Sequence, residues 1–77
     1  MKEKIEELLR DGKEIVMVLT IGDRYEVKKE LGVRDVSGYG FVSCDNSTVT
    51  LYFRDLIGEK YYQIVPYTQI AYLMYKE

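Results

Sequence analysis

The sequence contains no histidine and no tryptophan, and it has one cysteine and one proline among 77 residues. Without histidine, the chain can build neither a Ser-His catalytic triad nor an imidazole metal site. The single cysteine, Cys44, can form neither an intramolecular disulfide nor a structural zinc site. We therefore predict a protein that is not an enzyme and that holds no metal or cofactor.

Long apolar runs are also missing, so no segment has the length of a membrane span. The N-terminal "MKEKIEELLRDGK" alternates charged and apolar residues and lacks the apolar core of a signal peptide. A lone cysteine fits a reducing compartment. We therefore expect a cytoplasmic protein without a membrane partner. Its net charge of −2 argues against strong nonspecific binding of nucleic acid, but a local site is compatible with that charge.

Hydrophobic residues make up 47% of the chain and charged residues 31%, a balance typical of a globular protein. Its length predicts one domain, residues 1–77, near the lower limit for a single hydrophobic core. So small a core makes additional burial through self-association plausible. Eight tyrosines favour pleated surfaces and interfaces, where the ring is buried and the hydroxyl stays hydrated.

Residues 2–10 are predicted to form an amphipathic helix, since Ile5, Leu8 and Leu9 fall on one stripe. Gly12 is suited to a left-handed C-terminal cap, so the helical region is residues 1–11. A helix this short needs tertiary packing. We expect it to pack on its own sheet; the alternative is a helix that binds a partner or a membrane surface.

After Gly12 the apolar period changes from 3.6 to 2, which predicts strands. Residues 29–38 have two glycines and no sustained period, and we interpret them as a loop or a distorted strand. The sequence therefore predicts a mainly β protein, in which the short N-terminal helix precedes a strongly bent, five- to six-stranded antiparallel barrel over residues 13–76. The predicted strands are 14–21, 24–28, 39–44, 48–53, 61–65 and 70–75.

Pro66 interrupts the apolar stretch "QIVPYTQIAYL". Because proline cannot donate to a strand ladder, we predict that it ends the strand at 61–65. "PYTQ" then forms a tight 3₁₀ turn, and the chain leaves the corner in a new strand.

The order of elements and this strand–turn–strand ending resemble the Sm-like (LSm) domains, a family of bent SH3-type barrels. "VPYTQI" aligns with the family's second motif, and "CDNSTVTLYF" with its first. The strands at 15–21 and 70–75 have apolar residues on both faces, an excess that suggests a wrapped strand or a subunit interface. The resemblance implies a homo-oligomeric ring in which the last strands of adjacent subunits pair. The implied interface residues are Tyr61, Ile64, Val65, Ile70, Tyr72, Leu73 and Met74.

The family's RNA-binding members hold uridine-rich strands through both motifs, so the resemblance also implies a single-stranded RNA partner. The corresponding residues here are Asp45, Asn46, Thr48, Tyr67 and Gln69. The family's Arg-Gly pair is replaced by Pro66 and Tyr67, which removes a guanidinium and leaves a ring that could stack on a base. Two alternatives remain open: an SH3-like module that binds a protein partner without nucleic acid, and a regulatory domain that binds a ligand in the barrel mouth.

Overall fold

The computed structural model describes residues 1–77 and contains one α-helix, six strands and one 3₁₀ turn. The predicted mainly β class with a short N-terminal helix is confirmed, and the number of strands is six. Residues 29–38 contain no strand, so the loop interpretation of this segment is confirmed. The elements are α1 (Lys2–Arg10), β1 (Glu14–Leu19), β2 (Arg24–Lys28), β3 (Tyr39–Cys44), β4 (Thr48–Arg54), β5 (Lys60–Pro66), η1 (Tyr67–Gln69) and β6 (Ile70–Lys76).

All six strands belong to one sheet with the order β5-β4-β3-β2-β1-β6. Neighbouring strands are antiparallel except β2 and β3, which pair in parallel at Val27–Tyr39 and Lys28–Gly40. The prediction of a wholly antiparallel sheet is wrong at this pair. The reason is the loop at 29–38, which returns the chain to the end of β2 so that β3 continues in the same direction.

The sheet is bent but not closed, because its two edge strands, β5 and β6, do not pair with each other. The bend brings β5 towards β2, and the Nε2 of Gln63 donates a hydrogen bond of 2.8 Å to the hydroxyl of Tyr25. The predicted barrel is therefore present only as a curved sheet with an open seam.

The predicted corner after Pro66 is confirmed. Pro66 is the last residue of β5, and η1 follows it directly. Two backbone hydrogen bonds of 2.9 Å fix the turn, one from the Tyr67 N–H to the Ser47 carbonyl and one from the Thr20 N–H to the Gln69 carbonyl. The chain thus changes direction without leaving the donors of Thr20 and Tyr67 unpaired.

The core lies between α1 and the inner face of the sheet. Ile5, Leu8 and Leu9 of α1 are all buried, which confirms that the helix packs on its own sheet. Ile21 falls within the predicted strand 14–21, but it is 80% exposed because β1 ends at Leu19 and a turn follows. The buried cluster is completed by Ile15, Met17, Leu19, Val27, Val49, Leu51, Val65 and Ile70.

The structure has no helix with the length and apolar character needed to cross a lipid bilayer.

Candidate interaction surfaces

The edge strand β5 presents large apolar side chains to solvent. Tyr62 and Ile64, which share the outer face of the strand, are 62% and 66% exposed. Val65 points to the inner face beside Val49, and both are buried in the core. One side of β5 pairs with β4, and the other side has no neighbouring strand. This surface, which we name the β5 edge, therefore combines apolar side chains with unpaired backbone groups.

The opposite edge of the sheet has the same character. Tyr72 and Met74 of β6 are 51% and 37% exposed on the outer face, and Tyr75 is 49% exposed on the inner face. Leu73 is half-buried opposite Met17, and Ile70 lies in the core. We name this surface the β6 edge.

The structure thus separates the predicted interface residues into two groups. Tyr61, Ile64, Tyr72, Leu73 and Met74 keep exposed surface at the two edges, whereas Val65 and Ile70 belong to the core and offer no side chain to a partner. The prediction left out Tyr62 and Tyr75, which are exposed on the same two strands. The period-2 pattern of the predicted strands contained the signal for both.

The residues predicted to contact RNA lie where the β3–β4 turn meets η1. The Oδ1 of Asp45 accepts hydrogen bonds of 2.8 Å from the backbone N–H groups of Ser47 and Thr48, and one of 3.3 Å from the Thr48 hydroxyl. The bond from the Ser47 N–H, followed by that from the Thr48 N–H, holds the pKa of Asp45 below its usual value. This carboxylate oxygen is therefore occupied in forming the turn.

The Tyr67 side chain joins η1 to this turn. Its hydroxyl donates a hydrogen bond of 2.6 Å to the carbonyl oxygen of Asp45. Burial is the main cause of a raised pKa for Tyr67, and neighbouring Cys44 adds to it. The predicted loops therefore do lie together, with Asp45, Thr48 and Tyr67 in contact.

The remaining polar groups of this region have different surroundings. The Asn46 and Gln69 side chains are exposed and make no hydrogen bond within the chain. Cys44 is half-buried, and its Sγ lies 3.9 Å from the carbonyl oxygen of Lys2 in α1. Burial raises the pKa of this thiol. Cys44 therefore packs between the hairpin and the helix.

A row of four aromatic rings crosses four adjacent strands on the inner face of the sheet. The ring centroids are separated by 4.6 Å from Tyr25 to Tyr39, 5.5 Å from Tyr39 to Phe53, and 5.4 Å from Phe53 to Tyr61. Each ring lies near the end of its strand, so the row borders one end of the curved sheet. We name these four residues the aromatic rim.

Acidic groups adjoin the aromatic rim at both ends. The Tyr61 hydroxyl lies 3.1 Å from the Oδ2 of Asp55 and 3.2 Å from the Oε2 of Glu59, and its one proton is shared between these two acceptors. The bond to Asp55 is the main cause of a raised pKa for Tyr61. Burial raises the pKa of Tyr39, and the nearby Tyr25 and Asp23 raise it further.

The nearest cations of β4 and β5 lie on the other face of the sheet. The Lys60 Nζ is 4.3 Å from the ring centroid of Tyr52, and the Arg54 guanidinium carbon is 5.6 Å from the same centroid. Sequence reasoning did not identify the aromatic rim, because its members come from four strands and share no local spacing.

No cluster of three or more His, Cys, Asp and Glu side chains has an arrangement that could hold a metal ion. Comparisons with protein-family models, with curated proteins and with solved structures found no match for this chain.

Proposed function

We propose that this protein is a non-enzymatic, Sm-like β domain that assembles into a closed homo-oligomeric ring. In this proposal the β5 edge of one copy pairs with the β6 edge of the next. The observation that carries the proposal is the pair of free sheet edges, both seven residues long and both bearing exposed tyrosine and aliphatic side chains.

Physical reasoning favours association at these edges. Natural sheets protect a free edge with charges, proline, bulges or a covering segment. On β5 and β6 the charged residues, Lys60 and Lys76, stand only at strand ends, and Pro66 is likewise terminal. The middle of each strand therefore has unpaired N–H and C=O groups beside apolar side chains, which a second strand would satisfy.

The choice of partner edge follows from counting the edges that remain free. Pairing β5 with β5, or β6 with β6, gives a two-fold dimer that leaves the other edge of each copy exposed. Pairing β5 with β6 is heterologous, and it consumes both edges of every copy if the rotation closes a ring. The closed ring is the one arrangement of these three that leaves no free edge.

Sedimentation velocity across a micromolar concentration series tests this proposal. We expect one multimeric species, and Ile64→Glu should convert it to a monomer by placing an unpaired charge in the β5 edge. Ile57→Glu is the matched control, because Ile57 is 84% exposed in the β4–β5 turn rather than on a strand. A monomeric wild-type protein would overturn the assembly, and particles that keep growing with concentration would overturn the closed ring.

We extend the proposal to single-stranded RNA as a ligand of the ring, bound at residues 45–48 and 66–69. The support is the family resemblance and the contact between these two loops, where Asn46 and Gln69 have free amide groups. Titration of labelled oligouridylate and oligoadenylate at low salt, read by fluorescence anisotropy, is the direct test. We expect Asn46→Ala with Gln69→Ala to weaken binding, and no binding by the wild-type protein would remove RNA from the proposal.

An SH3-like module that binds a protein partner, without nucleic acid, is the second candidate. The observation that favours it is the aromatic rim, whose charged neighbours are carboxylates. Carboxylates repel the phosphates of RNA but suit a basic peptide. Titrations of the same protein sample with RNA and with peptide distinguish the two candidates.

A further inference from the structure

The four rings of the aromatic rim are only partly buried by packing against the core. Tyr25 and Tyr39 pack against the buried cluster yet keep part of their surface accessible, as Phe53 does. Tyr61 is 44% exposed. The Gln63–Tyr25 hydrogen bond connects the strand at one end of the row with the strand at the other, so the rings curve around the open end of the sheet. This arrangement forms an aromatic border with partly accessible rings.

Three carboxylates adjoin this border. Asp23 lies near Tyr39, and Asp55 and Glu59 share the proton of the Tyr61 hydroxyl. Arg54 and Lys60 lie over Tyr52 on the outer face, so they do not neutralise the rim. Since aromatic faces also attract cations, rings and carboxylates favour the same kind of ligand.

We propose that the aromatic rim binds arginine side chains presented by an extended peptide segment of a partner protein. The guanidinium group is planar, stacks on aromatic rings and donates hydrogen bonds to carboxylates. Successive centroids are 4.6–5.5 Å apart, and alternate residues of an extended peptide are separated by roughly 7 Å. A segment laid along the row therefore brings more than one of its side chains to the rings.

This inference rests on the second candidate function, binding of a protein partner, and does not depend on the proposed ring. The assembly uses the backbone of β5 and β6, with Tyr62, Ile64, Tyr72 and Met74 exposed on the outer face beside it. The rim uses inner-face rings, of which only Tyr61 belongs to an edge strand. Ile64 points to the outer face of β5, whereas Tyr61 and Gln63 point inward. The peptide affinity of Ile64→Glu should therefore equal that of the wild-type protein, whatever its oligomeric state.

The test is an NMR titration of the full chain with an amidated peptide of alternating arginine and proline. The control peptide has citrulline in place of arginine, which keeps the shape and removes the charge. We expect the arginine peptide to shift the amide resonances of the rim residues and of Asp23 and Asp55, and the citrulline peptide to leave them unchanged. Equal shifts with both peptides would overturn the proposal.

A pair of charge-neutralising variants tests the location without changing the core. Asp23→Asn combined with Glu59→Gln should weaken binding of the arginine peptide about fivefold, the order expected for an exposed cationic contact. The control is Glu3→Gln combined with Glu14→Gln, which changes the net charge equally. Glu3 is next to Lys2, whose carbonyl contacts Cys44 at the far end of β3 from Tyr39. Glu14 lies on the outer face of β1, opposite the face that carries the rim.

Three outcomes would refute the inference. The first is an equal loss of affinity in both double variants, which would indicate attraction to net negative charge alone. The second is a set of shifts confined to the β5 and β6 edges. The third is binding of oligouridylate at the rim without binding of the arginine peptide.

Discussion

Gly40 is the position where one added methyl group should most clearly destabilise the fold. It is buried in β3 and pairs with Tyr52 of β4. A Cβ built on Gly40 would overlap ring atoms Cε1 and Cζ of Tyr52 and would lie 2.6 Å from the hydroxyl oxygen. The ring is restrained, because it is 6% exposed, its hydroxyl accepts a 2.9 Å hydrogen bond from the Leu31 N–H, and Lys60 lies over it.

Two effects of opposite sign act in Gly40→Ala. Replacing glycine by alanine at an unstrained backbone position stabilises by about 0.4–1 kcal/mol, through the entropy of the unfolded chain. Gly40 does not have a positive φ, so this benefit applies. Inserting a methyl group into a filled site costs about 1–3 kcal/mol. We therefore expect a net loss near 1 kcal/mol in the free energy of unfolding, which lowers the Tm by roughly 4–8 °C.

Thermal unfolding followed by circular dichroism measures this change, at one fixed protein concentration because self-association makes the Tm concentration-dependent. The control is Gly40→Ala in a Tyr52→Ala background, where the added methyl group has space and should be neutral or stabilising. The difference between the two backgrounds gives the coupling free energy of the pair. A higher Tm for Gly40→Ala with Tyr52 present, or an equal loss in both backgrounds, would refute the steric reasoning.

Three further predictions concern the helix and the corner. Ile5→Ala should lower the free energy of unfolding by about 2–5 kcal/mol in urea denaturation, because Ile5 is fully buried; a change under 1 kcal/mol would contradict the packing of α1. Tyr67→Phe should cost about 0.5–1.5 kcal/mol in the same assay through the lost hydrogen bond to the Asp45 carbonyl, and an unchanged midpoint would argue that this bond does not stabilise the fold. The lowered pKa of Asp45 means that its contribution to stability is complete above the ordinary aspartate pKa of about 3.9 and is lost as pH falls through the lower folded value. Asp45→Asn should therefore flatten the acid side of the stability–pH profile, and an unchanged slope would contradict this assignment.

Local sequence signals were sufficient for most of the elements. The stripe of Ile5, Leu8 and Leu9 predicted α1, and alternation predicted every strand to within two residues at each end. Pro66 marked the corner, because its fixed φ and missing N–H restrict the conformations of a short segment whatever the rest of the chain does. These features are determined by residues that are close together in the chain. They can therefore be predicted from a single sequence.

The loop at 29–38 and the aromatic rim depend on residues far apart in the chain. Leu31 is buried by its contact with Tyr52, and the Arg54 guanidinium donates a 3.2 Å hydrogen bond to the Gly32 carbonyl. Lys28 and Asp35 add an ion pair of 3.9 Å. The hydrophobic pattern of residues 29–38 gives no indication of contacts with residues more than 20 positions away. The parallel pairing of β2 with β3 follows from the path of this loop and was missed for the same reason.

The apolar residues on both faces of β1 and β6 have separate explanations in the structure. Val18 lies on the outer face of β1 but is 7% exposed, so this chain already covers most of its surface. Tyr72, its partner on β6, remains 51% exposed, and Ile64 on β5 remains 66% exposed. The uncovered apolar surface of the strands is thus concentrated at the two edges of the sheet.

The position of this surface favours one kind of partner. A helix or a loop could cover the side chains of Tyr72 and Ile64, but it would leave the free N–H and C=O groups of β5 and β6 unpaired. A strand satisfies both requirements, because it pairs the backbone and places its own side chains beside the exposed ones. Each copy of this chain has two such strands of equal length, so a second copy supplies a strand for either edge. Side chains and backbone therefore both favour assembly by strand pairing over docking of an unrelated helix.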